Sequence, residues 1–239
     1  MPPPDRSGDV PVIATDRLTL RGHRVDDHAA CTRLWADPEV VRYIGGRVFS
    51  AEESWAKLLR YAGLWSLLGF GYWAIEEAQS GRFVGELGFA DFKREIEPSL
   101  GGRPELGWAL ASTAHGKGYA TEAVRGALAW GDARFGATGT ICLIHPDNAA
   151  SLRVAAKAGY REWRRTTYKG QPTSQRYGGE VFARYTFPSF YGVKSDIKVA
   201  FADGDSALGY NSLLHDGVAH LYLDYFKTAE FYAALTVRY

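Results

Sequence analysis

The stretch "LGWALASTAHGKGYATEAVRGALAWGDARF", residues Leu106–Phe135, decides the fold of this chain. A short apolar run predicts a strand, and helical spacing of apolar residues after Gly118 predicts a long amphipathic helix. Between them stands "HGKG", residues 115–118. Glycines let backbone N–H groups approach a phosphate, and the start of a helix offers unpaired N–H groups and the positive end of its dipole. This junction therefore predicts a phosphate-binding turn.

Two familiar phosphate-binding turns fit the junction poorly. A P-loop needs a serine or threonine directly after its lysine to hold Mg²⁺, but Gly118 follows Lys117. A dinucleotide-binding turn needs a third glycine where Thr121 stands. A tight turn that uses its glycines for shape alone is a further interpretation. The residues around the turn have to decide between these interpretations.

Hydropathy patterns along the chain predict alternating strands and helices. Alternation and compact apolar runs predict strands, over about 13–20, 72–75, 83–92, 104–112, 139–145 and 159–168. Helical spacing predicts helices, over about 25–37, 50–65, from 118 onward and 148–157. Ser50 and Glu53 have the spacing of a capping box. The order of elements indicates an α/β or α+β domain with a mixed sheet flanked by helices, including a run of three antiparallel strands.

Several separate segments together identify a family. "GKGYATEA" follows "ELGWAL", "NAASLRVAAKAGY" comes about thirty residues later, and "TDRLTLR" and "DPEVVRYIGG" stand near the start. This combination resembles the GNAT acetyltransferases, and within them the branch that includes the ribosomal-protein N-terminal acetyltransferases. The resemblance covers about residues 13–177. It implies a mixed, largely antiparallel sheet, acetyl-CoA as co-substrate and acetyl transfer to an amine.

The two ends of the chain lie outside this resemblance. Residues 1–11, "MPPPDRSGDVP", lack an apolar signal-peptide core and predict a short disordered arm. Residues 12–177 form the expected GNAT domain, and 178–239 a C-terminal segment of unassigned role. All seven tryptophans precede Gly178, and alternation over 219–225 predicts some strand in the segment. Completing the sheet, forming a homodimer and replacing a native ending are the interpretations that stay open for it.

Bulk composition excludes several other classes of function. A net charge of +1 provides no general field to attract nucleic acid or an anionic membrane. Apolar runs are broken well before the length that spans a bilayer, about 18 residues. The two cysteines, Cys31 and Cys142, and the six histidines show no metal-binding spacing, so the sequence predicts no metal. Reduced thiols and the missing signal peptide predict a cytoplasmic protein.

The resemblance implies a coenzyme A site built mainly from backbone. The family loop Gln/Arg-x-x-Gly-x-Gly/Ala corresponds to residues 113–118, where Thr113 replaces the usual first residue and His115 a common Arg or Trp. A backbone cradle does not depend on those side chains. The implied contacts are Trp108, Ala109, Leu110, His115, Gly116, Lys117, Gly118, Tyr119 and Ala120, with Asn148 and Ser151 near the pantetheine arm or the departing sulfur.

Attack of an amine on a thioester needs a general base and polarisation of the carbonyl. An alkylammonium has a pKa near 10, so most of it must lose a proton at pH 7. Glu105 is the first candidate base, because the resemblance places an acidic residue facing the acceptor there; Glu86 is the second and His115 the third. Backbone N–H groups around residues 108–110 are expected to stabilise the oxyanion.

Protonation of the leaving thiolate needs an acid, for which the sequence offers different candidates. Many family members have a tyrosine where this chain has Ala155. The resemblance offers Ser151 instead, with Asn148 in support, although both positions also suit the start of a helix. A thiol with a pKa near 8.5 does not require a dedicated acid.

Two classes of function therefore follow. The first is an N-acetyltransferase in which the amine attacks acetyl-CoA directly within a ternary complex. Its acceptor is a protein N-terminal amine, an amino acid, a polyamine or an aminoglycoside-like compound, held by the aromatic-rich helices of residues 35–65. The second is a non-catalytic acyl-CoA-binding or sensing module, which the alanine at position 155 keeps open.

Overall fold

The structure, a computed structural model, describes residues 10–97, 99–135 and 139–178, and the backbone of five strands between 181 and 238. Its contacts divide the chain into two units, residues 1–136 with 140–178 and residues 137–139 with 179–239. Within the first unit the described strands are β1 (Ile13–Ala14), β2 (Leu18–Arg21), β3 (Tyr72–Glu77), β4 (Phe83–Ala90), β5 (Glu105–Leu110), β6 (Thr140–Ile144), β7 (Arg161–Tyr168) and β8 (Gln171–Gly178). The described helices are α1 (His28–Trp35), α2 (Pro38–Val41), α3 (Ala51–Leu68), α4 (Tyr119–Phe135) and α5 (Ala149–Lys157).

The eight strands form one mixed sheet in the order β1-β2-β3-β4-β5-β6-β8-β7. Every neighbouring pair is antiparallel except β5 and β6, which run parallel. A parallel pair needs a crossover connection, and α4 is that connection. The predicted fold class, a mixed and largely antiparallel sheet flanked by helices, is confirmed.

The parallel pair is open along most of its length. β4 and β5 pair from Ala90–Glu105 to Gly85–Leu110, whereas β5 and β6 pair only at Glu105–Ile141. Beyond that single pair, the two strands form a gap with its apex at Glu105. We call it the β5–β6 gap.

Local sequence signals explain several of the helix ends. Ser50 Oγ accepts a hydrogen bond from Glu53 N at 3.1 Å, and Glu53 Oε2 accepts one from Ser50 N at 2.9 Å, so the predicted capping box is confirmed. Gly69, at φ 70°, ends α3 in the left-handed region that favours glycine. Asp37 Oδ1 accepts from Glu39 N at 2.9 Å and begins α2 with Pro38 in its first turn. From the sequence, only the end of α1 is predicted near Asp37 and Pro38, and α2 is not predicted.

Two strands differ from the expectation. The strand expected over 13–20 is divided, because Thr15 N donates to Leu18 O at 2.9 Å and turns the chain between β1 and β2. β8, which lies between β6 and β7, is missing from the expected order. Its sequence, "QPTSQRYG", has polar residues and a proline instead of an apolar alternation. Tertiary pairing with two neighbours makes it a strand.

The two faces of the sheet have different chemistry. Facing α4, large apolar side chains pack against Ala123, Val124 and Ala127 in one continuous core. On the opposite face, covered by α1 and α3 and called here the α3 face, the strand residues are smaller or polar. They include Ala74, Glu86, Gly88, Ala90, Glu105, Gly107 and Ala109.

One tyrosine lies flat across this α3 face. Tyr72 pairs with Gly88, and Gly88 pairs with Gly107, so the ring passes over glycine on β4 to reach β5. A Cβ at Gly107 would lie 2.2 Å from Tyr72 Oη and 3.4 Å from its Cζ. Tyr61 of α3 stacks on the ring with centroids 4.3 Å apart and planes 4° from parallel. Any side chain at position 107 would therefore overlap the Tyr72 hydroxyl.

The second unit has a five-stranded antiparallel sheet in the order β11-β12-β13-β10-β9. Its strands are β9 (Val181–Thr186), β10 (Lys194–Ala202), β11 (Leu214–His215), β12 (Val218–Tyr225) and β13 (Glu230–Arg238). The strand expected over 219–225 corresponds to β12. The boundary expected at 177–178 stays a prediction, and most of the predicted N-terminal arm, residues 1–9, lies outside the described residues. No helix among the described residues is long and apolar enough to cross a membrane.

The Tyr72–Gly107 contact predicts a specific coupling between two substitutions. Gly107→Ala should lower the free energy of unfolding by about 1–3 kcal/mol, because the new methyl group overlaps the Tyr72 hydroxyl. In a Tyr72→Phe background the cost should fall by about 1 kcal/mol, since only the hydroxyl lies within 3 Å. Urea unfolding of the four proteins measures this coupling.

Gly63→Ala is the matched control, because a Cβ at this position in α3 has no neighbour within 4 Å. Its effect should be the same in both backgrounds. Equal costs of Gly107→Ala with and without the Tyr72 hydroxyl would contradict the packing described above.

Candidate active site

The glycine turn between β5 and α4 is open on the outside. Gly116 and Gly118 have φ of 75° and 81°, which other residues rarely adopt. A Cβ at Gly116 would meet nothing within 4 Å, and one at Gly118 would meet only Arg17 Nη2 at 3.4 Å. Backbone conformation thus requires these glycines, and the space above them is free for a ligand. α4 begins directly afterwards at Tyr119, so the first N–H groups of the helix are available there.

A pair of charged residues holds the turn in place. Arg17 Nη1 donates to Lys117 O at 3.0 Å, and Arg17 Nε donates to Glu122 Oε2 at 2.7 Å. Glu122 Oε1 also accepts from Thr15 Oγ1 at 2.7 Å and from Arg17 N at 2.8 Å. Arg17 and Glu122 lie inside the motifs "TDRLTLR" and "GKGYATEA", but no local pattern marks them as partners. The chain segment between β1 and β2 therefore supports the turn.

The side chains of the turn have modest individual roles. His115 is exposed, and its Nε2–H donates to Leu110 O at 2.9 Å, which fixes the tautomer and ties the ring to the end of β5. Lys117 is exposed as well. Tyr119 Oη donates to Glu77 Oε1 at 3.0 Å, and Arg17 stacks over its ring at 4.9 Å. Ala120 is half-buried beside them.

Unpaired backbone groups of β5 face the β5–β6 gap. Ala111 N donates to Val84 O on the β4 side, whereas Ile141 N donates to Pro104 O on the β6 side. Because successive backbone groups of a strand point to alternate sides, Trp108 and Leu110 direct their N–H groups toward β6. The strands no longer pair there. A carbonyl or amide in the gap would find these N–H groups as partners.

Glu105 lies at the apex of the gap, on the α3 face, and is 5% exposed. Both of its carboxylate oxygens accept hydrogen bonds from Arg94, one from Nε and the other from Nη2 at 2.6 Å. The Arg94 guanidinium itself stacks over Phe92 and Tyr168, each at 5.0 Å. The candidate base is therefore a carboxylate with one lone pair on each oxygen occupied by Arg94.

A cavity of about 290 Å³ adjoins Glu105. It is lined by Ala90, Asp91, Phe92, Lys93, Arg94, Ser99, Leu100, Gly102, Arg103 and Glu105. Ala90 and Glu105 are a directly paired row of the sheet, and Gly88 and Gly107 are the next row of the α3 face. The cavity thus adjoins the row of the α3 face next to Gly88 and Gly107.

Glu86, the second candidate base, is enclosed in the core and only 1% exposed. Its Oε1 accepts from Trp35 Nε1 at 3.1 Å and from Tyr61 Oη at 2.5 Å. Burial alone would raise the pKa of Glu86, but His23, Lys57 and Tyr61 lower it below its usual value. The carboxylate is therefore ionised and enclosed inside the fold, which removes it from contact with a substrate.

The surroundings of Glu86 bring together three types of metal ligand. Ligand atoms of His23, Cys31 and Glu86 lie within 4.8 Å of one another, although no sequence spacing relates them. Burial raises the pKa of the Cys31 thiol to about 12 and lowers the pKa of Lys57 to about 8. His23 Nε2 lies 3.7 Å from Glu86 Oε2, and the positive charge of Lys57 lowers the pKa of Glu86. The absence of a metal from this cluster stays a prediction.

Asn148 and Ser151 begin α5, directly after β6. Asn148 Oδ1 accepts from Ser151 N at 3.0 Å, so the predicted helix cap is confirmed. This bond leaves the Asn148 amide nitrogen and the Ser151 hydroxyl available, and both residues are half-buried. Ala155, one turn further, is fully buried and offers no polar group.

The predicted site residues therefore lie in three places around one gap. Glu105 and Trp108–Leu110 line the β5 edge, and residues 115–120 form the turn beyond its open end. Asn148 and Ser151 follow the β6 edge. Among the described residues, no contact joins the turn, Asn148 or Ser151 directly to Glu105. An elongated ligand in the gap would connect them.

The support of the turn yields a prediction. Glu122→Gln should raise the dissociation constant for coenzyme A about threefold to tenfold, because Arg17 and Lys117 lose their anchor. It should also lower the free energy of unfolding by about 1 kcal/mol, a value reduced by the solvent exposure of Arg17. Isothermal titration calorimetry and urea unfolding measure the two effects.

The pH dependence of this effect has a definite sign. Burial would raise the pKa of Glu122, but hydrogen bonds from Thr15 and Arg17 make it lower than usual. The stabilisation is then present above the unfolded value, about 4.3, and is lost as pH falls through the folded value. Wild type and Glu122→Gln should therefore converge in acid. The exposed Glu52→Gln is the charge-matched control, and an unchanged coenzyme A affinity in Glu122→Gln would refute the anchoring role.

Comparison with known proteins agrees with this geometry. Residues 17–161 match the sequence profile of the acetyltransferase (GNAT) domain. The uncharacterized N-acetyltransferase YoaA of Bacillus subtilis is 26% identical over 153 residues, which is 64% of this chain and 84% of the relative. An acetyltransferase structure from Agrobacterium tumefaciens is 25% identical with a TM-score of 0.61, covering 71% of this chain and 95% of that one.

This chain also shares its fold with a more distant structure, a ribosomal-protein acetyltransferase. The ribosomal-protein-S5-alanine acetyltransferase of Vibrio fischeri has a TM-score of 0.57 over 70% of this chain and 96% of that one, at 15% identity. The profile match covers more than half of the 239 residues and spans the turn, both edges of the gap and the start of α5. The chain therefore belongs to the GNAT family of acetyl-CoA-dependent N-acetyltransferases.

Proposed function

We propose that this protein acetylates a primary amine by direct attack on acetyl-CoA within a ternary complex. The observation that carries the proposal is the β5–β6 gap, which pairs at Glu105–Ile141 alone and opens toward the glycine turn. The pyrophosphate of coenzyme A would bind at Gly116, Gly118 and the start of α4. The pantetheine arm would then run along β5, with the thioester near the apex.

Backbone groups at the gap suit the electrophilic side of the reaction. The N–H groups of Trp108 and Leu110 would donate to the thioester carbonyl, on which negative charge develops during attack. Ala109, between them, points its side chain to the α3 face. A rigid strand, paired with β4 along its whole length, holds these donors in place.

Glu105 is the proposed general base. Its carboxylate lies at the apex on the α3 face, and Arg94 occupies one lone pair on each oxygen. The remaining lone pairs would accept the proton of the attacking amine. The departing thiolate would take a proton from Ser151 or solvent, with the Asn148 amide near the sulfur.

The acceptor would approach from the α3 face, through the cavity beside Glu105. Its volume, about 290 Å³, suits a small molecule or the first residues of a peptide. The acceptor is then a protein N-terminal amine or a small-molecule amine. We assign the reaction to residues 12–177, propose that 178–239 form a separate segment, and retain the cytoplasm as the predicted location.

A second candidate function is a non-catalytic acyl-CoA sensor. Two observations favour it: Arg94 already pairs with the candidate base, and Ala155 stands where many relatives have a tyrosine. A sensor would keep the turn and the gap without productive acid–base chemistry.

Turnover separates the two candidates. Acetyl-CoA is incubated with a panel of N-terminal peptides, amino acids, polyamines and aminoglycosides, and free coenzyme A thiol is followed. We expect thiol release that depends on one class of amine, together with the acetylated amine by mass spectrometry. Tight binding of coenzyme A with no amine-dependent thiol release would support the sensor.

Glu105→Gln tests the base. We expect kcat to fall at least about 100-fold at neutral pH, because a carboxamide cannot accept the proton. Affinity for coenzyme A should stay within about twofold of wild type. Because Arg94 loses its partner as well, Arg94→Gln is measured beside it. Full activity of Glu105→Gln across the pH range would eliminate Glu105 as the base.

A further inference from the structure

We propose that the hydroxyl of Tyr72 contacts the acceptor amine at the apex of the β5–β6 gap. Tyr72 would then be an acceptor-binding residue of the transfer reaction, on a strand that contributes no other site residue. The inference rests on the proposed function and adds a side chain to it. Three observations carry it: the position of the hydroxyl, its lack of a protein partner and its protonation state.

The position follows from the register of three strands. Tyr72, Gly88 and Gly107 form one row across β3, β4 and β5. The hydroxyl lies over Gly107, which is two residues beyond the last β5–β6 pair, at Glu105. Glu105 and Gly107 share the α3 face of the same strand. The Tyr72 hydroxyl and the Glu105 carboxylate therefore meet the apex from the same side, the side of the acceptor cavity.

The hydroxyl has no partner of its own within the described residues. Tyr61, stacked on the same ring, instead donates its hydroxyl to Glu86. Tyr72 Oη makes no hydrogen bond to a described residue, yet it is not fully enclosed. This oxygen therefore keeps some contact with solvent. The residue as a whole is only 7% exposed. A buried ring whose hydroxyl has no partner among the described residues is well suited to contact a ligand.

The local charges keep this phenol protonated. Burial raises the pKa of Tyr72 far above its usual value, and the carboxylates of Glu105 and Glu86 raise it further. At neutral pH the group is thus a neutral hydroxyl that can donate one hydrogen bond and accept two. The lone pairs of its oxygen can then accept an amine N–H.

In the reaction, Tyr72 would orient the amine without a net gain or loss of protons. The amine N–H donates to Tyr72 Oη, and the nitrogen lone pair is thereby directed at the thioester carbon. The C–N bond forms, the C–S bond breaks, the amine proton goes to Glu105, and the thiolate takes a proton from Ser151 or solvent. The rigid sandwich of Tyr72 between Gly88 and Tyr61 holds the oxygen in place.

Tyr72→Phe isolates the hydroxyl, because phenylalanine keeps the ring and its stacking on Tyr61. With the amine found in the turnover panel, we expect kcat/KM for the amine to fall about 10- to 100-fold, as for a lost transition-state hydrogen bond. The dissociation constant for acetyl-CoA should stay within about twofold. The melting temperature should stay within about 3 °C, because no protein hydrogen bond is removed.

Tyr160→Phe is the matched control. Tyr160 is also a buried tyrosine, 2% exposed, but its hydroxyl is hydrogen-bonded to Thr140 at 2.5 Å. Removing it should lower the melting temperature and leave kcat/KM within about threefold. This pattern is the reverse of the one expected for Tyr72→Phe, so a general effect of deleting a buried hydroxyl is separated from a role in acceptor binding.

Three outcomes would overturn the proposal. An unchanged kcat/KM in Tyr72→Phe, with an active wild type, would refute the role of Tyr72 and leave the proposed function intact. A parallel loss of acetyl-CoA affinity would place the hydroxyl at the cofactor instead. If wild type transfers acetyl to none of the amines, the proposed function and the role of Tyr72 fail together.

Discussion

The single backbone pair between β5 and β6 is the constraint on which the rest of the site depends. Both strands are fixed on their outer sides, β5 by six pairs with β4 and β6 by five pairs with β8. Only Glu105 and Ile141 close the sheet between them. The unpaired backbone beyond that point would be costly in a dry core. A ligand with its own amide and carbonyl groups can satisfy it, which is the physical basis for proposing the gap, the glycine turn and the start of α5 as one site.

The difference between the two faces of the sheet lets this gap persist in a stable fold. Facing α4, apolar side chains give a continuous core that stabilises the unit. The α3 face instead holds an ionised Glu86 among His23, Trp35, Lys57 and Tyr61. A buried carboxylate is tolerated because its hydrogen bonds and nearby positive charges replace water. The small residues beside it leave room for the Tyr72 ring and for an acceptor.

Sequence patterns predict elements wherever the local signal is strong, and fail where pairing partners decide. The capping box at Ser50, the helix cap at Asn148 and the strand that precedes the glycine turn are local, and all three agree with the structure. β8 and α2 were missed, because one has no apolar alternation and the other is a single turn begun by Asp37. The Arg94–Glu105 ion pair has no signature, since residues eleven apart on a loop and a strand show no periodicity.

The sequence by itself determined the family, the glycine turn and the strand before it, because these depend on short runs whose backbone geometry is set locally. Tertiary structure alone decided that Glu105 is paired, that Glu86 is enclosed and that Tyr72 reaches Gly107 across two strands. The physical reason is register. Which side chains meet across a sheet depends on how distant strands align, and no local pattern of hydropathy or charge encodes that alignment.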